Sequence, residues 1–380
     1  MKKVVIIACI TWIWVTGCTH EEDIPVSRTL LVYLAGDNNL SGETDEKLEA
    51  IARSWKAEAG HIVVFQDRKG EVPRLIELKE NGKFIPVHTY DKEQNSCSAD
   101  FFGHVIRDVV ALYPASDYGL LFFSHATGWL PKGNYPQPAT RTIGLDGTDE
   151  MGLSDFANAI PDGQFRFIVF EACLMAGVEV AYELKDKTKT IVASSAEILS
   201  PGFTGLYAQM IPMLFAVEPK LKELAELYFD YWNGKSGFSR SATISVIQTA
   251  GMTRLAELVG MAMKNTVEVS PEAVTSFDSG TARLYSDLGE YLELKCTDDA
   301  LKAMIAMQLQ EIVTYRNATP QVMGNPCRTH SGLTVYLPRA GFEKLNNLHD
   351  NTCWSKAVYP DGKIQTLTFG QTLDDRLNGN

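Results

Sequence analysis

The apolar positions of this chain fall into short unbroken runs separated by amphipathic stretches. Residues 29–35 (TLLVYLA), 61–65 (HIVVF), 118–124, 165–172 and 190–195 are such runs. Each is about six residues long and rich in β-branched and aromatic types, which predicts strands buried on both faces of a parallel sheet. Helical patterns lie between them. One covers 43–59 and closes on Gly60 as its C-cap. A second, 99–112, gathers Phe102, Val105, Ile106 and Val109 on one face. Shorter ones cover 154–160 and 174–186, while 74–90 reads as a hairpin turning at Asn81-Gly82 and 126–152 as a loop. Strand and helix alternate, which implies a mostly parallel sheet with helices on both faces, an α/β fold. Beyond residue 203 the pattern becomes mainly helical, over 204–215, 219–234, 252–266, 281–294 and 299–317. Two late strands interrupt it, 242–248 (ATISVIQ) and 332–338 (GLTVYLP); they either extend the first sheet or build a small second one.

The first residues follow a different rule. Lys2 and Lys3 precede an apolar stretch over 4–15, and Thr16-Gly17-Cys18 follows. A basic tip, about a dozen apolar residues and a small-residue cleavage site describe a secretory signal, too short to span a bilayer. Cys18 directly after the cut makes the segment resemble a bacterial lipoprotein signal, whose cysteine carries acyl chains. The resemblance implies an exported protein on the bacterial outer membrane or cell surface, held to the membrane only by its N-terminal lipid. The expected organisation is therefore a signal peptide (1–17), a lipidated linker (18–27), an α/β core (28–202) and a mainly helical region with late strands packed on it (203–380). The acidic Glu21-Glu22-Asp23 resembles the export tag of surface lipoproteins, and a solvated linker explains it equally well.

Composition narrows the partners. The 380 residues carry a formal charge of −12, and loss of Lys2 and Lys3 with the signal makes it −14. An acidic surface argues against nucleic acid and anionic membranes as partners. After processing, Cys18, Cys97, Cys173, Cys296, Cys327 and Cys353 remain, none in metal-type pairs, and the histidines are scattered, so a structural zinc site is not expected. Cys327 and Cys353 flank one predicted strand; a disulfide and two free thiols are both open.

The chemistry sits at two strand ends. The run at 118–124 leads directly into His125, and the run at 165–172 into Cys173. In open α/β sheets, ligands bind beyond the carboxyl ends of the strands. A thiol there becomes a nucleophile when an imidazole takes its proton and later returns it to a leaving amine. A helix predicted from Leu174 onward would favour the thiolate through its N-terminal partial charge.

The wording around these residues resembles the clostripain family of caspase-like cysteine peptidases. Tyr33-Leu-Ala-Gly-Asp-Asn-Asn-Leu40 is similar to that family's first strand and turn. Ser124-His-Ala-Thr-Gly-Trp129 is similar to its histidine block and Phe170-Glu-Ala-Cys-Leu-Met175 to its cysteine block. Ser194-Ser-Ala-Glu197 followed by Pro201-Gly202 resembles the segment beside the substrate pocket, and 332–338 a late family strand. The resemblance covers about residues 28–340. It implies a caspase-like sandwich and a monomeric endopeptidase acting on peptide or protein substrates, with a Cys173–His125 dyad, no obligatory cofactor and no metal, and an oxyanion hole from the backbone N–H groups of Ala126 and Cys173. It further implies cleavage after arginine or lysine, for which a carboxylate must pair the buried cation. Glu171, Glu197 and Asp37 are the acidic candidates, with Ser195 beside them. The family commonly has glycine where Ala126 stands, and aspartate where Glu171 stands. Self-cleavage in the loop between the blocks would fall at Lys132 or Arg141. A second reading keeps the fold without the catalysis, as a peptide- or partner-binding lipoprotein. A sugar-binding scaffold lipoprotein fits the anchor and leaves the Cys–His placement unexplained.

Overall fold

The computed structural model describes residues 28–54, 60–91, 94–132, 143–280 and 282–360. The chain opens with strand β1 (Arg28–Gly36), helix α1 (Ser41–Ala52) and strand β2 (Gly60–Arg68). The hairpin β3 (Arg74–Leu78) and β4 (Phe84–Thr89) follows, its turn closed by Gly82 at φ +73°, a value that glycine adopts without strain. Next come α2 (Ala99–Leu112), β5 (Asp117–Phe123), the small hairpin β6 (Ile143–Asp146) and β7 (Asp149–Met151), α3 (Leu153–Ala159), β8 (Phe165–Glu171), α4 (Val178–Glu183) and β9 (Thr188–Ala193). The later region holds α5 (Tyr207–Leu214), α6 (Leu221–Asn233), β10 (Thr243–Gln248), α7 (Met252–Met263), β11 (Ser286–Asp287), α8 (Leu288–Lys295) and α9 (Asp299–Ile312). It ends with β12 (Val313–Ala318), β13 (Gln321–Val322), β14 (Asn325–Pro326), β15 (Thr334–Val335), α10 (Glu343–His349) and α11 (Cys353–Val358).

Nine strands form one sheet in the order β12-β10-β9-β8-β5-β1-β2-β3-β4. The five central strands β9, β8, β5, β1 and β2 are parallel, and both margins are antiparallel. Side chains alternate between two cores, as a period of two requires. Leu31, Tyr33, Val63, Phe65, Leu120, Phe122, Ile168 and Phe170 face one core, with Phe102 of α2, Phe156 of α3 and Val180 of α4. Leu30, Val32, Ile62, Val64, Leu121, Phe123, Phe167 and Val169 face the other, with Ile51 of α1, Tyr207 of α5 and Leu224 of α6. The result is the α/β sandwich, with helices on both faces, that the alternation of strands and helices implied.

The differences from the sequence reading have local causes. The stretch predicted as one helix over 299–317 ends at Ile312, where the buried stripe Leu301, Ile305, Leu309, Ile312 runs out. From Val313 the chain becomes edge strand β12, antiparallel to β10. Both β10 and β12 thus extend the first sheet. The predicted strand over 332–338 pairs through Thr334–Val335, antiparallel to Ser286–Asp287, with one parallel bridge from Thr334 to Gly177, and the antiparallel pairing also delays the helix expected from residue 281 until Leu288. Asp287 caps that helix, its Oδ1 accepting the Glu290 N–H at 2.8 Å. The loop expected over 126–152 contains the β6–β7 hairpin. Of the helix expected over 43–59, the described part ends at Ala52, and 55–59 lie outside the described residues. Cys327 and Cys353 are separate free thiols.

Candidate active site

Strand register sets the site. β5 and β8 run parallel with Phe123 opposite Glu171, so His125 and Cys173 leave neighbouring strands at the same level, two residues beyond the paired ends. Neighbouring strands lie about 4.8 Å apart. The Ser124 hydroxyl fixes the exit of β5: it donates to the Ala35 carbonyl (2.9 Å) and accepts from the Leu145 N–H (3.2 Å). The histidine loop then lies directly on the cysteine turn. Gly128 adopts φ +60°, and a Cβ there would sit 2.5 Å from the Leu174 carbonyl oxygen. Tyr285 ties the same loop down by donating to the Thr127 carbonyl at 2.6 Å.

His125 is oriented by Asn39. Its Nε2 donates to Asn39 Oδ1 at 2.7 Å, which makes Nδ1 the proton acceptor of the neutral ring. The neighbouring Asn38 is buried and does a different job. Its side chain donates to the Ala35 (3.2 Å) and Leu145 (2.8 Å) carbonyls and accepts the Leu40 N–H (2.7 Å), holding the turn after β1. Asn39→Ala is expected to lower kcat about ten- to a hundredfold, because the ring loses its fixed tautomer. KM should change little, and Asn39→Asp should restore most of the rate while shifting the acidic limb of the pH–rate profile. An unchanged kcat in Asn39→Ala would exclude this positioning role.

Cys173 is partly buried, and its Sγ accepts the Ile198 N–H at 3.3 Å. Burial pushes the thiol up to about 12; the Ile198 N–H works against this shift, and the nearby Glu197 carboxylate adds to it. The helix expected to begin at Leu174 starts instead at Val178, so the N-terminus of α4 lies five residues beyond the cysteine. Leu174 is in the left-handed region at φ +63°, an arrangement that costs a bulky residue about 1–3 kcal/mol. Its N–H donates to the Ala196 carbonyl (3.0 Å) and the Ala176 N–H to Ser194 (2.9 Å), so the turn is stitched to the chain after β9 rather than wound into a helix.

The other residues singled out from the sequence have distinct fates. Ala126 is buried and lies outside the left-handed region, which Gly128 occupies instead, so alanine fits without strain. Glu171 is fully buried and faces the α1 side of the sheet. Its Oε1 accepts from Lys47 Nζ (2.7 Å) and the Phe203 N–H (2.5 Å), and its Oε2 from the Tyr207 hydroxyl. This carboxylate is already paired inside the fold, contrary to its expected role as a substrate partner. Ser195 is likewise buried, its hydroxyl 3.1 Å from Nε2 of His330. Burial, and then Arg316, bring that histidine down to about 3, so it stays neutral. Glu197 is partly exposed and accepts from the Ser279 hydroxyl at 2.6 Å. Asp37 lies beyond β1, two strands from β8, and groups with Asp67 and Asp146. There, burial and the Asp146 and Asp37 charges raise the enclosed Asp67 to about 7. Lys132 is exposed; Arg141 and Cys18 lie outside the described residues.

Sequence reasoning passed over Asn39 and Lys47. Asn39 stood inside the quoted 33–40 motif without a role. Lys47 carried a usable signal: it falls in the stripe Thr44, Lys47, Leu48, Ile51, a helical spacing that buries one face of α1. Among the described residues, no group of three or more His, Cys, Asp or Glu side chains is arranged to hold a metal ion, and no helix is long and apolar enough to cross a membrane.

The sequence model of the clostripain family, the C11 peptidases, matches residues 32–339. Clostripain of Hathewaya histolytica is 26% identical over 212 residues, a match spanning 46% of this chain and 40% of clostripain's own length. The crystal structure of an inactive zymogen C11 protease from Parabacteroides distasonis superposes with a TM-score of 0.78 at 27% identity, covering 87% of this chain and 98% of the other. A secreted C11 cysteine protease from Bacteroides thetaiotaomicron, solved with an irreversible peptide inhibitor, superposes with a TM-score of 0.76 at 26% identity, covering 89% and 100%. With the family match spanning most of the described fold, including the strand ends that carry His125 and Cys173, the chain belongs to the clostripain family of cysteine peptidases.

Proposed function

We propose that this protein is an exported cysteine endopeptidase that cleaves peptide bonds after arginine or lysine, with Cys173 as nucleophile and His125 as base. The observation that carries the reading is the common level at which His125 and Cys173 leave the adjacent parallel strands β5 and β8. The buried thiol is neutral at rest, so the proton moves during the reaction: Nδ1 of His125 takes it as the sulfur attacks the scissile carbonyl carbon. The Ala126 and Cys173 N–H groups receive the developing oxyanion. When the C–N bond breaks, the imidazolium returns the proton to the leaving amine. Water, deprotonated by the same ring, then attacks the acyl carbon, and as the C–S bond breaks the imidazolium returns that proton to sulfur. The apolar stretch before Cys18 and the secreted relative favour export, and Cys18 is the candidate lipid attachment point.

The test is turnover of short fluorogenic peptides ending in arginine or lysine by the full chain. Cys173→Ala is expected to reduce it to background. Turnover that survives the substitution would refute the assignment.

A further inference from the structure

A basic P1 side chain, the one just before the scissile bond, leaves the substrate beside the carbonyl that Sγ attacks. Its counter-charge must therefore sit near Cys173 and be open to a newcomer. Two carboxylates are near in the chain. Glu171 precedes the nucleophile by two residues. Glu197 adjoins Ile198, whose N–H touches Sγ.

Glu171 is closed. Its three partners are Lys47, the Phe203 N–H and the Tyr207 hydroxyl. Lys47 is itself saturated: besides Glu171 it donates to Thr204 Oγ1 (2.9 Å) and the Pro201 carbonyl (3.4 Å), with the Phe123 ring 4.1 Å away. The 201–204 segment seals the pair, since a Cβ on Gly202 would lie 2.3 Å from Glu171 Oε1. A substrate cation gains nothing by displacing an ammonium that already has full coordination in a dry site.

Glu197 differs in each respect. It is partly exposed, one oxygen is held by Ser279, and no cation among the described residues pairs with it. We propose that Lys47 fills the cation place at Glu171 from within, and that Glu197 is the carboxylate that selects a basic P1 side chain. This inference rests on the peptidase reading above. It also gives the cost of Glu197 a purpose. An uncompensated carboxylate beside a thiol opposes thiolate formation. A substrate arginine or lysine would neutralise that charge, so the preferred substrate would ease deprotonation of its own nucleophile.

The experiment compares peptides with arginine, lysine or norleucine at P1, and measures iodoacetamide alkylation of Cys173 in the resting protein. In the isosteric variant Glu197→Gln, the ratio of kcat/KM for basic over norleucine substrates is expected to fall by about 100-fold, the usual scale for losing one partner of a desolvated charge pair. Alkylation at pH 8 is expected to speed up, because the opposing charge is gone. An unchanged ratio overturns the proposal, as does a ratio that falls only when Glu171→Gln is combined with Lys47→Met, the pairing that leaves no buried charge behind. An alkylation rate that does not rise contradicts the coupling. Loss of the proposal through the peptidase reading has a separate signature: no Cys173-dependent turnover with any of the three substrates.

Discussion

His125→Ala is expected to lower kcat for peptide hydrolysis by three to four orders of magnitude, at the upper end of what one general acid–base group contributes (about 10²–10⁴). The reason is the state of the sulfur. Desolvated by burial and beside the Glu197 carboxylate, the Cys173 thiol is pushed up to about 12. At neutral pH it holds its proton, and only a base acting during the attack can remove it. In this mechanism the imidazole acts on the thiol proton and not on the substrate's side chains, so KM should move by no more than a few-fold. The raised value also fixes the sign of the pH dependence. Thiolate is scarce below the folded-state pKa and grows as pH rises, so alkylation of the resting thiol should accelerate about tenfold per pH unit between pH 7 and 10. Wild type and His125→Ala should share that slope. A plateau near neutrality in the wild type, lost in the variant, would mean instead that a thiolate–imidazolium pair already exists at rest.

Lys47→Met is expected to destabilise the fold by about 3–5 kcal/mol, the cost of leaving one member of a buried ion pair without its partner. Lys47 and Glu171 are both enclosed, and their contact joins α1 to the last residue of β8, directly beneath the nucleophile turn. Urea unfolding followed by circular dichroism measures the loss. The double variant Lys47→Met with Glu171→Gln should recover much of it, since no charge then remains buried. The amide can keep its oxygen toward the Phe203 N–H and turn its NH2 toward the Tyr207 hydroxyl oxygen, which then accepts. A loss below 1 kcal/mol in the single variant would show that water reaches this pair.

The sequence made the central strands legible because they are buried on both faces and read as continuous apolar runs, as at 29–35 and 165–172. It also put His125 and Cys173 at the ends of two strands, because each follows such a run immediately, and the register of β5 and β8 brings those ends level. Less legible were the features decided by long-range partners. Val313-Thr-Tyr continues an amphipathic helix on paper and becomes strand β12 only because β10 offers an open edge. The four residues after Cys173 look helical, but Ala196 and Ser194 claim the Leu174 and Ala176 N–H groups first. The acidic candidates could not be ranked from sequence, since the distinction between Glu171 and Glu197 depends on Lys47, which approaches from 124 positions away. Ala126, a departure from the family wording, is accommodated because the left-handed turn falls two residues later, at Gly128.

The most direct measurement is covalent capture. A halomethyl ketone peptide ending in arginine or lysine, incubated with the full chain and mapped by mass spectrometry, should modify Cys173 alone at one equivalent, and at least a hundredfold more slowly in His125→Ala. Modification of Cys327 or Cys353 in place of Cys173, or equal rates with and without His125, would contradict the account.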